Sequence, residues 1–143
     1  MTLDDLVDVF ELLGDWEQRY NYLIELGEKL PNMPKHLMVE KNNVKGCMSK
    51  VYVSAYRDEN KQQCFQYHGY CDTSIIRGVL AVLINLVAGE TAEVIEQMDI
   101  DELFEKLQLG EHLSPNRHVG IYAIVALMKQ QVHEMSSVSQ YVA

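Results

Sequence analysis

The sequence is poor in the residues that indicate a disulfide-stabilised or membrane-embedded protein. It has 3 cysteines, 3 prolines and 1 tryptophan among 143 residues. Three cysteines, an odd number, exclude a complete disulfide framework and favour free thiols in a reducing compartment. The most apolar stretch, residues 75–88, is too short to span a bilayer and contains Arg77 and Asn85. We therefore expect a soluble protein of the cytoplasm.

Basic residues are also scarce. The 12 Lys and Arg residues stand against 21 Asp and Glu residues, which gives a net charge of -9. This excess of negative charge opposes binding to nucleic-acid phosphates or to an anionic membrane, so we expect neither partner. The first five residues contain Asp4 and Asp5 and no lysine or arginine, which argues against a targeting signal.

What is present is the composition of an ordinary globular domain. Of the residues, 48% are hydrophobic and 23% are charged. A chain of this length can bury a sizeable core without disulfides or a structural metal. We therefore predict one domain, residues 1–143, in which residues 136–143 have no strong periodicity and form a tail that frays.

Cap residues and apolar residues at helical spacing predict six helices. The segments are a helix capped by Thr2 and stopped by Gly14, one from Asp15 to before Pro31, a central buried helix at 75–88, a short acidic helix from Thr91, one from Asp99 stopped by Gly110, and a last one from Ser114 to about Met135.

Between the second helix and the central helix, the pattern changes to that of strands. Residues 51–56 and 63–70 alternate in side-chain character, and the polar residues 58–61 connect them, which predicts an antiparallel hairpin. A third strand is predicted near residues 43–46. Helices flanking a small antiparallel sheet, in blocks rather than in strict alternation, make the fold class α+β.

The chemistry-bearing stretch precedes the first of these strands. Cys47 follows Gly46 and has Lys45 and Lys50 nearby. Nearby cations favour the nucleophilic thiolate, and glycine allows a backbone turn that presents the side chain at the tip of a loop. The alternative is a buried structural cysteine that behaves as a small hydrophobic residue. Both interpretations are open on the local sequence alone.

Several motifs, spaced over roughly residues 6–135, resemble those of the SufE family of sulfur-acceptor proteins for cysteine desulfurases. The signature loop of the family is matched by Asn43-Val44-Lys45-Gly46-Cys47-Met48-Ser49-Lys50-Val51-Tyr52. Its N-terminal helix is matched by Asp15-Trp16-Glu17-Gln18-Arg19-Tyr20, followed by Leu23 to Gly27 and Leu30-Pro31. Its central helix is matched by Asp72 with Ile75 to Val82, and the start of its last helix by Leu113-Ser114-Pro115-Asn116-Arg117 with Gly120.

The resemblance implies a function. Cys47 would take the terminal sulfur of a persulfide on a pyridoxal-phosphate cysteine desulfurase and stimulate that enzyme. It would then pass the sulfur to an iron–sulfur cluster assembly scaffold. The chain would act as a covalent carrier rather than as an enzyme, with no cofactor of its own, and the family also allows a homodimer. Val44, Met48 and Val51 either shelter the persulfide or belong to the core.

Other candidate residues have weaker support. Arg77 and Arg117 lie in matching motifs and could steady an anionic persulfide or a partner's carboxylate, although a packing role is at least as consistent. Tyr70 and Cys71 depart from the family pattern before Asp72, and Tyr52 replaces a common tryptophan. Cys64 and Cys71 are better explained as structural, with Cys71 the less certain because it precedes a helix.

Two alternatives from other functional classes remain. An iron–sulfur or metal scaffold would use Cys47, Cys64 and Cys71 as ligands, and an interaction domain would leave all three thiols inert. His112 and His118 have a spacing found in zinc sites, but no Cys-x-x-Cys accompanies them, so we do not expect zinc. Phosphate-binding glycine loops, Ser/His/Asp order and paired-carboxylate patterns do not stand out in the sequence.

Overall fold

Helices and a small sheet alternate in blocks along the chain. The computed structural model describes the backbone of residues 1–142 and the side chains of residues 1–136. The helices are α1 (Leu3–Leu13), α2 (Trp16–Glu28), α3 (Ser74–Val87), α4 (Ala92–Glu96), α5 (Ile100–Lys106), α6 (Leu109–His112) and α7 (Pro115–Val142), and the strands are β1 (Val51–Arg57), β2 (Cys64–Cys71) and β3 (Glu90–Thr91). The predicted α+β class is confirmed.

The first two helices begin where their cap residues predict. The Thr2 hydroxyl accepts from the backbone N–H of Asp5 at 3.1 Å, and the Asp5 carboxylate accepts from the N–H of Thr2 in return. The Asp15 carboxylate likewise accepts from the N–H of Gln18 at 2.9 Å. Because these bonds satisfy N–H groups that a helix leaves without partners, they fix where α1 and α2 start.

The sheet has the order β1-β2-β3, and both pairings are antiparallel. The hairpin register runs from Val51 opposite Cys71 to Arg57 opposite Phe65. The prediction of a third strand at residues 43–46 is wrong, because the third strand is β3, paired with the start of β2. At 43–46 the chain makes only one bridge, Asn43 to Tyr52, before a positive φ of 90° at Gly46 turns it away.

The outer edge of β1 is occupied by a side chain of α7. The Gln131 amide oxygen accepts from the N–H of Ala55 at 2.9 Å, and its nitrogen donates to the carbonyl of Val53 at 2.9 Å. The same nitrogen lies 3.2 Å from the side-chain oxygen of the buried Asn42. One glutamine therefore ties α7 to β1 and to the segment that leads into the Gly46 turn.

The core is built around α3, which is buried on nearly every side between α2 and β2. The two helices meet at glycines. A Cβ added to Gly27 would lie 2.8 Å from the nitrogen of Gly78, and one added to Gly78 would lie 2.6 Å from the carbonyl carbon of Leu23. Arg77 then donates from Nε to the carbonyl of Gly27 at 2.7 Å and from a terminal nitrogen to the carbonyl of Leu30 at 3.0 Å.

The segment after α5 differs from its prediction. Gly110 does not stop that helix, which ends at Lys106, and Gly110 lies within α6. The break is at Gln108, whose φ is 57°, and it allows Leu107 and Leu109 on either side to enter the core. The free energy gained by burying these leucines offsets the energetic cost of the left-handed backbone conformation at Gln108.

The last helix extends past its predicted end near Met135. It continues to Val142 and so includes most of residues 136–143, for which the sequence predicts a fraying tail. Ala143 lies outside the described residues. Among the helices of the described chain, none is long and apolar enough to cross a bilayer.

Candidate functional site

Cys47 lies in a loop, residues 43–50, whose two ends are both held by hydrogen bonds; we call it the Cys47 loop. At its first end, Asn42 donates to the carbonyl of Leu37 at 2.8 Å, and the N–H of Val44 donates to the carbonyl of Val51 at 2.8 Å. At its second end, the N–H of Lys50 donates to the Asp72 carboxylate at 2.9 Å. The fixed ends hold the tip of the loop, with exposed Gly46 and half-buried Cys47, at one end of the hairpin.

Two glycines determine where the Cys47 thiol lies. Gly46 has a φ of 90°, a conformation that side chains disfavour, and it turns the loop back towards α7. Gly120 on α7 leaves the space that the thiol fills, since a Cβ there would lie only 2.7 Å from Cys47 Sγ. The sequence marked Gly120 only as part of a family motif, and its contact with Cys47 is apparent only in the structure.

The surroundings of Cys47 are only partly apolar. The residue is half-buried, Val44 and Val51 belong to the core, and Met48 is 83% exposed. Val44 and Val51 are therefore core residues, which is one of the two expectations for them, whereas Met48 is mostly exposed and lines the cleft beside Cys47. A shelter for the persulfide stays a prediction. The wall against which the thiol rests is α7 at Gly120.

A cleft of about 200 Å³ opens beside the thiol. The hydroxyls of Ser49 and Thr73, 2.7 Å apart, lie on one side, and the first turn of α7 lies on the other. Its lining residues are Cys47, Met48, Ser49, Thr73, Ile76, Ser114, Asn116 and Arg117. The start of a helix and an arginine both favour negative charge, so the cleft suits an anionic group such as a persulfide.

Of the four cationic residues that the sequence singled out, three lie against groups outside the cleft and one lines the cleft. The ammonium group of Lys45 lies 2.8 Å from the Glu40 carboxylate, and that of Lys50 lies 5.9 Å from the centre of the Tyr52 ring. Arg77 binds the end of α2, as a packing role predicts. Of the two predicted arginines, Arg117 is the one that lines the cleft of Cys47.

The three cysteines do not converge. Cys64 and Cys71 are buried at opposite ends of β2, eight residues long, which separates them by roughly 23 Å at about 3.3 Å per residue. Among the described residues, no group of three His, Cys, Asp or Glu side chains is arranged to hold a metal ion. The geometry therefore contradicts a scaffold that uses Cys47, Cys64 and Cys71 together.

The two histidines with zinc-like spacing also have separate surroundings. The ring of His112 stacks on Trp16 with a centroid distance of 3.8 Å. The ring of His118 packs near Phe104, and its Nε2 atom is buried with no hydrogen-bond partner among the described residues. Neither ring shares a ligand set with the other.

Substituting alanine for Gly120 tests the contact that seats the thiol. The added methyl would overlap Cys47 Sγ, so we expect the thiol to move outwards and to react several-fold faster with iodoacetamide in the native protein. Alanine is a better helix former than glycine by about 1 kcal/mol, so α7 should persist. Gly110→Ala is the control, because its nearest atom, in His118, would be 3.9 Å away. An unchanged rate for Gly120→Ala would contradict this seating of Cys47.

Comparison with known protein families and sequences finds matches over most of the chain. The family model "SufE: Fe-S metabolism associated domain" matches residues 4–132. The chain is similar to an uncharacterised SufE-like protein of Rhizobium meliloti, at 34% identity over 91% of this chain and 94% of that protein. It is also similar to one of Rhizobium etli, at 33% identity over 91% of this chain and 88% of that protein.

Comparison with solved structures finds a protein of the same fold. The solution structure of a hypothetical protein from Thermus thermophilus matches with a TM-score of 0.75 and 20% sequence identity. The match covers 96% of this chain and 99% of that one. The arrangement of helices around the three-stranded sheet is therefore shared across nearly the whole length of both chains.

Proposed function

Because this chain belongs to the SufE family, we propose that Cys47 accepts the outer sulfur of a persulfide on a cysteine desulfurase and passes it to an iron–sulfur cluster scaffold. The family description places the chain in iron–sulfur metabolism. On this proposal the chain is a cytoplasmic carrier and desulfurase activator, and the pyridoxal phosphate belongs to its partner. A homodimer stays a prediction.

The observation that supports the proposal most is the convergence of three distant motifs at one thiol. The Cys47 loop, the segment from Asp72 to Ile76 and the start of α7 at Arg117 are separated along the sequence, yet they enclose one cleft. A structural cysteine would not need an adjoining open cleft. A cysteine that must hold a second sulfur atom does.

The chemistry is a thiol–persulfide exchange that needs no external oxidant. The Cys47 thiolate attacks the outer sulfur of the donor persulfide, the donor's S–S bond breaks, and the donor cysteine leaves as a thiolate. Cys47 then carries the sulfur as an anionic persulfide. Arg117 and the first turn of α7 line the same cleft, and on this proposal their positive charge favours that anion.

Stimulation of the desulfurase follows from the same step. A desulfurase that keeps its persulfide cannot complete another cycle, so removal of the sulfur by Cys47 restores the free enzyme. The exposed side chain of Met48, adjacent to Cys47, is available to contact the partner when the thiol enters its active site. The exposed tip and anchored ends of the loop suit such an approach.

Sulfur loading tests the proposal directly. After incubation with a cysteine desulfurase and free cysteine, intact mass spectrometry should show a gain of one sulfur atom, and peptide mapping should place it at Cys47. Reduction should remove it. Cys64→Ser is the matched control, because Cys64 is buried at the far end of β2 and should not affect loading. Label on Cys64 or Cys71 with an unlabelled Cys47 would overturn the assignment.

A further inference from the structure

Cys71 has a special position relative to the Cys47 loop that sulfur transfer does not explain. It is the last residue of β2, 3% exposed, directly opposite Val51 in the hairpin register. Beyond that pair the two chain segments stay together. The N–H of Asp72 donates to the carbonyl of Lys50 at 3.2 Å, and the hydroxyls of Ser49 and Thr73 lie 2.7 Å apart.

Thr73 contacts the Cys71 thiol and also lines the cleft beside Cys47. Its backbone N–H donates to Cys71 Sγ at 3.4 Å, and its carbonyl accepts from the same thiol at 3.5 Å. Thr73 also lines the cleft that contains Cys47. Burial is the main cause of the raised pKa of Cys71, and the nearby negative charges of Asp72 and then of Cys47 add to the rise. Cys64 has no such relation to the loop, since it lies at the opposite end of β2.

We propose that Cys71 is a resolving cysteine, which forms an intramolecular disulfide with Cys47 when peroxide oxidises the loop thiol. The Cys47 thiolate first attacks one oxygen of hydrogen peroxide, the O–O bond breaks, and Cys47 becomes a sulfenic acid while the hydroxide that leaves takes up a proton to form water. The Cys71 thiol then attacks that sulfur, the S–O bond breaks, and a second water leaves. The two thiols together lose two protons and two electrons, which peroxide accepts.

Formation of the disulfide requires a change in the Cys47 loop, because the sheet holds Cys71 in place. A disulfide needs its Cβ atoms about 3.5–4.5 Å apart. Cys71 is held by the β2 ladder, so Cys47 must make the approach. The hydrogen bonds of Asn42 and Asp72 hold the ends of the loop, and the exposed tip at Lys45, Gly46 and Met48 is the part that would have to move.

The surroundings of Cys71 indicate which of the two thiols reacts with an oxidant first. Burial among apolar side chains raises the pKa of the Cys71 thiol to about 11, which leaves little of the reactive thiolate at neutral pH. Cys71 is therefore a poor target for peroxide itself, and Cys47 is the thiol that is oxidised first. The disulfide would block the acceptor thiol reversibly and protect it from oxidation to sulfinic acid, so this inference goes beyond the proposed sulfur transfer.

Peroxide treatment of the full chain, without desulfurase, tests the inference. The wild-type protein, blocked with iodoacetamide and digested without reductant, should give a peptide pair joined through Cys47 and Cys71, and dithiothreitol should separate it. Cys64→Ser should give the same pair. In Cys71→Ser and Cys71→Ala, Cys47 should instead proceed to sulfinic acid several-fold faster, with the fold checked by circular dichroism.

Several outcomes would overturn the inference. They are a disulfide that uses Cys64, disulfide-linked dimers as the only oxidised product, or sulfinic acid formation at Cys47 that is equally fast with and without Cys71. Because no desulfurase is present, a failure here is distinct from a failure of sulfur loading. A chain that forms the disulfide but takes up no sulfur would overturn only the proposed function.

Discussion

Replacement of Cys47 by serine is expected to reduce the stimulation of a cysteine desulfurase to the basal rate of that enzyme. Serine fills nearly the same space beside Gly120, so the loop and its cleft should keep their shape. Its hydroxyl, however, does not form a stable bond to transferred sulfur, so the covalent step is lost completely. The measurement is sulfide or alanine production by the desulfurase with increasing amounts of the variant.

Binding separates this loss from a failure to dock. Cys47→Ser should still bind the desulfurase and should compete with the wild-type chain for it, because the surface around the thiol is unchanged. Cys71→Ser, in reducing buffer, is the matched control, and it should stimulate the enzyme as the wild-type protein does. Stimulation that survives in Cys47→Ser would show that the chain acts by contact alone, without carrying sulfur.

The second large effect is expected at the crossing of α2 and α3. Alanine at Gly78 would place a methyl 2.6 Å from the carbonyl carbon of Leu23 and closer still to its oxygen. Backbone atoms cannot move aside as a flexible side chain does, so the two helices must separate. We expect a loss of about 3 kcal/mol or more in the free energy of unfolding, although alanine favours an isolated helix.

Thermal unfolding followed by circular dichroism measures this effect. The midpoint should fall by about 10 °C or more for a domain of this size. Gly110→Ala again provides the control, because an added Cβ there makes only an ordinary contact, 3.9 Å from His118. An unfolding midpoint for Gly78→Ala close to that of the control would contradict the close approach of α2 and α3 at this glycine.

The elements that could be predicted from the sequence are those with local causes. Thr2 and Asp15 cap their helices through bonds to residues three positions away, and the hairpin follows from alternation within two short runs. The two-residue strand β3 has no such signal, because its pairing with Cys64 and Phe65 is made across the fold. Similarly, the end of α5 depends on where leucines enter the core, and not on Gly110.

The features of the candidate site likewise fall into those that could be identified from the sequence and those that could not. The Gly46-Cys47 pair and Arg117 could be identified from the sequence, because the family motifs contain them. Three features could not be identified in this way: the space at Gly120, the bond of Thr73 to Cys71 at the edge of the cleft, and the partners of Lys45 and Lys50. Each depends on the packing of segments that are far apart in the chain, and residue type alone does not encode such distances.

The position of Gln131 on the outer side of β1 has a consequence for the behaviour of the protein at high concentration. An outermost strand presents unpaired peptide groups, which can recruit a strand from another molecule and start aggregation. The Gln131 amide offers β1 one donor and one acceptor, as a neighbouring peptide would, and it occupies the groups of Val53 and Ala55. The side chain thus terminates the sheet at that point, and the peptide groups of Val53 and Ala55 are no longer free to pair with a strand from another molecule.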